Sequence, residues 1–504
     1  MSSKKGVTRR GFLTVAVSAI VAGVVAGVGG YYAGTLAAPA EVVREVTKTI
    51  ERTTTITPSP TTVTRTVTTT VTASATATTT TTPTTTATPP APDYIKIGWP
   101  APLTGAEAPF TESYPWLVRK VEEVVNKQGG VYVAKYGKKI PIKIILRDTQ
   151  SDTGMATTVT EDLITREGVH MIVSSVASSA VPVSTTVERY GIPAIISQAV
   201  VLAWLKGGPY KWAYIAFFAE PVCYLGYMAY WQKVLKKPPN EIIIGAIWND
   251  DPAGRGFREA FTKVVGKRGY QIIDVGLVAW GTKDFSAYIE RWKRERVEVL
   301  VANMIAPDFA TLWRQTREMG FIPKLTSIGR AIMFPSNVEA LGGDLPLGIA
   351  TEYSFGPAYP TRSKLLNVTA REFCDLWEKE SGRQWTEPIG PALHLLELAL
   401  NAIERAGNLE PEAIRNAIAD TDTDTILGHV NFKRPYPPEV QEIVPDFPQL
   451  GDYKEHISLT PQVVGQWFKG TKYKWDKKVV ENGIWKEIPI EAEPKTIPEL
   501  LGIS

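Results

Sequence analysis

Strand-length runs that are apolar on both faces constrain this chain more than any other feature. Ile142, Ile144, Ile145 and Leu146 fall in one such run, and Ile242, Ile243 and Ile244 in another. A strand with one wet face alternates apolar with polar residues. A run that does not alternate must be covered on both sides, as strands of a parallel sheet flanked by helices are. Amphipathic stretches of helical length lie between the runs, separated by turns such as Asn126-Lys127-Gln128-Gly129-Gly130. The alternation predicts strands at Tyr94–Trp99, Pro141–Arg147, Met171–Ser175 and Ala194–Ser197, and helices at Tyr114–Lys127, Gly154–Arg166 and Val183–Tyr190.

The pattern then restarts. Cys223–Lys236 reads as a helix and Glu241–Trp248 as a strand, and Phe257–Lys267, Gln271–Gly276, Phe285–Lys293, Val297–Ala302 and Asp308–Met319 alternate in the same way. A strand at Gly348–Tyr353 precedes three expected helices, Lys364–Ser381, Gly390–Arg405 and Glu410–Asp420. The tail is strand-rich, with Gly428–Phe432 and Gln462–Phe468 its clearest pieces. At 504 residues the chain is long enough for more than one core, and the expected fold class is α/β, with two units each built on its own parallel sheet. Ligands of open α/β sheets sit beyond the carboxyl ends of the strands, so two facing units would enclose one cleft.

The first 92 residues have a different character. Thr8-Arg9-Arg10-Gly11-Phe12-Leu13 follows Lys4 and Lys5 and resembles the twin-arginine export signal. No charged residue occurs from Gly11 to Ala40, a run long enough to span a bilayer with its basic flank on the inside. No cysteine follows it to carry a lipid, so an uncleaved membrane anchor over 1–40 is expected. Residues 41–92 then read as a Thr/Pro-rich stalk, with too little apolar surface to offset the entropy of ordering. The expected location is the outer face of a membrane.

Composition removes several functions. Lys plus Arg number 55 against 52 for Asp plus Glu, which lacks the basic excess of a nucleic-acid binder. Two cysteines, Cys223 and Cys374, exclude a disulfide scaffold, and four dispersed histidines offer no zinc spacing. There is no Gly-x-Ser-x-Gly elbow, Walker A loop or His-Glu-x-x-His, so neither catalytic residues, nor a metal site, nor a cofactor is expected. Asp250-Asp251-Pro252-Ala253-Gly254-Arg255-Gly256 reads as a βα turn at a cleft mouth, with acidic charge at a helix N-terminus. Tyr210, Trp212 and Tyr214 alternate like a strand beside Phe217 and Phe218; core packing is the default reading for this aromatic cluster and a pocket wall the alternative. Asn367-Val368-Thr369 is a glycosylation sequon.

Ile97-Gly98, Pro102-Leu103-Thr104-Gly105, the Asn126–Gly130 turn, Asp148, the stretch from Ile172 to Pro182, Gly191-Ile192-Pro193, Lys283-Asp284-Phe285, Trp313-Arg314-Gln315 and Gly320 carry a family pattern in order and spacing. From about residue 94 to 480 the chain resembles the branched-chain amino acid binding proteins, type I periplasmic binding proteins that serve ABC importers. The resemblance implies two Rossmann-like lobes joined by a three-crossover hinge, with 94–215 and 355–427 in one lobe and 216–354 and 428–504 in the other. It would put the cysteines in different lobes, as free, packed thiols. It implies a monomer that binds a small molecule, partners an ABC permease and is not an enzyme. A ligand-sensing ectodomain is the alternative, disfavoured because no second membrane segment or cytoplasmic domain is evident; an anchored hydrolase is a third.

The resemblance also places a ligand site at Phe110, Ala177, Ser178, Ser179, Ala199, Val201, Ala253, Ile305 and Arg330. Here the chain departs from the family. Gly329 or Arg330 stands where an acid usually holds the ammonium, Val201 where a threonine is usual, and Ala253 and Ile305 where tyrosines are common. A buried ammonium without a paired charge is costly, whereas Arg330 would fork a carboxylate. The expectation is therefore a small carboxylate or amide with an apolar or aromatic body, in preference to an ordinary zwitterionic amino acid. For the leader, the expected outcome is that the full chain sediments with membranes, while a chain starting near Pro92 is soluble and binds ligand equally well; failure of that shorter chain to fold would move the stalk boundary.

Overall fold

A computed structural model of the protein describes residues 90–503. The expected anchor and nearly all of the stalk lie outside the described residues, among which no helix is long and apolar enough to cross a membrane. The chain begins with β1 (Ile95–Ala101), α1 (Tyr114–Lys127), β2 (Ile142–Asp148), α2 (Thr153–Thr165), β3 (Met171–Ser175), α3 (Ala177–Tyr190), β4 (Ala194–Ser197), α4 (Val201–Lys206) and β5 (Ala213–Ala216). A second series follows: α5 (Glu220–Leu235), β6 (Ile243–Asn249), α6 (Pro252–Val264), β7 (Gln271–Val278), α7 (Ser286–Arg294), β8 (Val299–Asn303), α8 (Ala306–Glu318), β9 (Leu325–Gly329), α9 (Pro335–Leu341) and β10 (Ala350–Tyr353). Then come α10 (Ala370–Ser381), α11 (Ile389–Ala406), α12 (Pro411–Ala419), β11 (Ile457–Ser458), β12 (Val463–Lys469) and β13 (Trp475–Glu481).

Both expected parallel sheets are present. The first has the order β11-β5-β4-β3-β1-β2 and the second β9-β8-β6-β7, every pairing parallel. Every residue of β3, β4, β5 and β8 is buried, as the unalternating apolar runs require. A third, antiparallel sheet, β10-β12-β13, lies where the chain returns. The chain passes between the units three times: after Ala216, after Tyr353, and between Ser458 and Val463. Cys223 and Cys374 are free and buried, and burial holds both thiols well above their ordinary range.

Some expectations need correction. The helix expected over Lys364–Ser381 begins only at Ala370. Asn367 takes a left-handed backbone (φ 57), and Thr369 and Glu372 form a reciprocal capping box that sets the start. The boundary expected at 427/428 is too early, because Ile457–Ser458 pairs in parallel with Ile215–Ala216 and completes the first sheet. Tyr210 and Trp212 precede the strand instead of alternating within it: β5 starts at Ala213, and Tyr210 turns its hydroxyl to the Trp204 carbonyl, 3.0 Å. Short helices at Pro438–Gln441 and Pro448–Asp452 occupy a stretch for which no element was expected.

A buried ion pair ties the return segments together. Lys477 on β13 donates to Glu387 (2.5 Å) and to the Met333 carbonyl (3.2 Å), and lies over the Tyr353 ring, 4.8 Å from its centroid. The other oxygen of Glu387 accepts the N–H and hydroxyl of Ser354 at 2.7 and 2.6 Å, just past β10. The pair is essentially inaccessible, at 1% and 0% side-chain exposure, so losing one partner would strand a charge in a dry site. Lys477→Met is expected to cost about 3–5 kcal/mol in urea unfolding. Adding Glu387→Gln should return much of it, and a full loss in the double variant would count against the pairing account.

Candidate functional site

Parallel strands end together, and here the ends of both sheets meet at one cavity of about 60 Å³. Its first-lobe wall comes from the segments after β1 (Glu107, Phe110), β3 (Val176, Ala177), β4 (Gln198, Ala199, Val200) and β5 (Phe217, Phe218). Glu220 comes from the start of α5. The second lobe supplies Ala253 and Phe257 from α6, Asn303 at the end of β8, Arg330 and Met333 after β9, and Glu352 from β10. Three lining residues, Val176 (φ 74), Gln198 (φ 49) and Arg330 (φ 42), hold left-handed backbone without being glycine. For a β-branched residue such as Val176 this is strained, and it turns the chain sharply from β3 into α3.

The lobes touch across the cleft. Phe110 meets Phe334 edge-on with ring centroids 4.7 Å apart, and Lys206 pairs with Glu259 at 2.5 Å. Close approach also explains two glycines, Gly256 at the lobe contact and Gly329 beside its strand neighbour Asn303. A Cβ on Gly256 would stand 2.7 Å from Val200 Cγ1, and one on Gly329 would stand 2.3 Å from the Asn303 amide.

The charge pattern differs from the sequence expectation. Arg330 is present, but one arm of its guanidinium pairs with Asp251, whose two oxygens also accept the Gly254 N–H (2.8 Å) and the Trp280 indole N–H (2.7 Å). Asp251 is thereby the N-cap of α6, in keeping with the βα-turn reading. The acid absent at 329 and 330 is supplied from the neighbouring strand. Glu352 accepts the Arg330 N–H at 3.1 Å and the Tyr227 hydroxyl at 3.1 Å. Glu220 accepts the Leu202 N–H at 3.1 Å, and Glu107 accepts the Ser178 N–H at 3.3 Å. Burial pushes Glu220 and Glu352 up to about 7. Burial also raises Glu107, against the opposing pull of Ser178 and Arg330. Three carboxyls, two buried and one half-buried, thus line the same cavity as a guanidinium that already has its own counter-ion.

Several polar atoms at the cavity have no partner within the protein. They are Gln198 Nε2, both amide atoms of Asn303, and Arg330 Nε, all buried. Buried donors and acceptors are normally paired, so their convergence on one cavity marks a place built to bind something polar.

Of the residues expected from sequence, Phe110, Ala177, Ala199, Ala253 and Arg330 line the cavity. Ser178 lies one residue beyond the wall and reaches it through its N–H to Glu107. Ser179, Val201 and Ile305 are not brought there. Ser179 is fully buried against the Thr149 hydroxyl (3.2 Å), Val201 is in the core at the start of α4, and the Ile305 N–H is taken by Asn249 (2.7 Å). Glu107, Gln198, Glu220, Asn303 and Glu352 were missed, although each lies within a few residues of a strand's carboxyl end and that position was the available signal. Phe217 and Phe218 meet both readings of their cluster, packed in the core and forming part of the wall.

The sequence profile of the periplasmic binding proteins matches residues 94–438. A leucine-, isoleucine-, valine-, threonine- and alanine-binding protein of Pseudomonas aeruginosa is 24% identical over 348 residues, covering 68% of this chain and 86% of its own. Among solved structures, the branched-chain amino acid transporter substrate binding protein of Streptococcus pneumoniae in complex with isoleucine superposes with a TM-score of 0.61 at 17% identity, covering 80% of this chain and 99% of its own. A solute binding protein of an ABC transporter from Rhodopseudomonas palustris, in complex with 3,4-dihydroxybenzoic acid, gives 0.58 at 16% identity, covering 77% and 97%.

If the Asn303 amide is held for a ligand and not for the fold, Asn303→Leu should leave stability unchanged or raise it by roughly 1 kcal/mol, since it removes two unpaired buried polar atoms. Urea unfolding of the ligand-free protein measures this, and a loss of several kcal/mol would show the amide to be structural.

Proposed function

This chain belongs to the periplasmic binding protein family, and from that premise we propose that it captures a small amino-acid-like solute bearing an amine between its two lobes and hands it to the permease of an ABC importer. The observation that carries the reading is the convergence of Glu107, Glu220 and Glu352 on one cavity whose single guanidinium is already paired with Asp251. An anionic solute entering this place would meet mostly carboxyls. A solute with an ammonium group would let them ionise and replace costly desolvation with ion pairing. Its own carboxylate has the free Arg330 Nε, the Asn303 and Gln198 amides and the N-terminal turn of α3 within the same wall. The rings of Phe110, Phe217, Phe218 and Phe257 suit an apolar body. The small carboxylate or amide expected from sequence rested on a missing acid, and Glu352 removes that premise.

Capture and release fit a hinge at the three crossovers, with the lobes parting to admit the solute and meeting again around it. The resemblance supports an exported protein acting outside the membrane, and reversible binding with no covalent step.

Proton linkage tests the amine. Glu220 and Glu352 are raised from 4.5 to about 7, so the folded protein binds more protons than the unfolded chain between those values. The stability these groups contribute is present in full below 4.5 and is lost as pH rises through about 7. A cation favours the ionised carboxylates, so its binding should release protons and strengthen as pH rises from about 6 to 8. Calorimetric titration with small amino acids in buffers of different ionisation enthalpy reads this directly. Proton uptake on binding, or affinity that falls with pH, would point to an anionic solute instead.

A further inference from the structure

The cavity is small, and what fills the rest of the cleft is rigid. A cavity of about 150 Å³ accepts benzene, and this one holds about 60 Å³, so the space as it stands suits only a very small solute. Aromatic rings packed on one another take up the remainder. Phe217 tilts against Phe218 with centroids 4.3 Å apart, and Phe110 from the first lobe abuts Phe334 from the second at 4.7 Å. Phe217, Phe218, Phe257, Met333 and Phe334 are each no more than 7% exposed, so none can swing into solvent without opening the core. The lobes are also held close elsewhere, through Lys206–Glu259 and the contact of Val200 with Gly256. A solute with a long side chain would have to displace a ring or keep the lobes apart.

We infer that the closed cleft selects by size, admitting amines of about the bulk of glycine or alanine and rejecting leucine, with Phe110 as the residue that sets the limit. This rests on the amine reading of the same cavity. Phe110 is suited to the role because it is the one ring of the wall that is only partly buried and reaches across the gap to the other lobe. Its removal empties the cleft without emptying either lobe's core.

Titration calorimetry of the full chain with glycine, alanine, valine and leucine, beside acetate and benzoate, tests the inference. Glycine or alanine should bind about 100-fold more tightly than leucine, the scale on which a filled pocket rejects extra methylenes. In Phe110→Ala, leucine should gain about tenfold or more while alanine gains nothing. Phe334→Leu, which keeps apolar bulk, should shift leucine in the same direction and stands in if Phe110→Ala does not fold. Leucine binding to the unaltered protein as tightly as alanine would overturn the size limit and leave the amine reading in place. Binding of acetate or benzoate with no amino acid bound would overturn the amine reading itself, and the size limit on amines with it.

Discussion

A parallel sheet covered by helices on both faces has only its ends left for chemistry, and the rest of this molecule follows from that constraint. Hydrogen bonding forces each parallel strand to be followed by a crossover, so every strand of a sheet terminates on the same side. Two such sheets, linked by three passages of the chain, bring the segments that follow β1, β3, β4 and β5 opposite the ends of β8 and β9, and β10 of the third sheet adds Glu352. The residues found there are ones that a buried core would not tolerate: three glutamates, an arginine, a glutamine and an asparagine. Gln198, Asn303 and Arg330 are held rigidly because the strand residues just before them are fully buried.

The balance of charge in the cleft is set by a different element from the one expected. Arg330 stands where an acid was anticipated, yet its own N–H donates to Glu352, and Asp251 draws its guanidinium aside. A carboxyl therefore lies beside Arg330, delivered by an adjacent strand. Desolvation leaves it near the threshold of ionisation at neutral pH, so whatever enters the cleft decides the charge state.

The architecture was largely legible in the sequence, because the unalternating runs admit few arrangements. α1, β3 and β4 fall on their expected residues, and most other elements differ by a few positions at their ends. The failures have local causes. At Lys364–Thr369 helical propensity loses to an Asn in left-handed conformation and to the Thr369–Glu372 capping box, a signal that was available. β11 is only two residues long, and its pairing with β5 is a contact between positions some 240 residues apart, which no local pattern encodes. The site was half legible. Strand ends pointed to the right loops, but whether a side chain faces the gap depends on backbone turns such as the positive φ at Val176 and Gln198. Ser179, Val201 and Ile305 stand in the right segments but do not line the cavity, whereas Glu220 and Glu352 come from a helix start and a strand that the family pattern did not single out.

The two cysteines carry a consequence of another kind. Thiol exchange and oxidation begin with the thiolate, and burial holds Cys223 and Cys374 in the protonated form while also shutting out reagents. As far as its cysteines go, the folded body does not need an oxidising compartment to become stable, and the two sulfurs behave as apolar filler on whichever side of a membrane the chain folds.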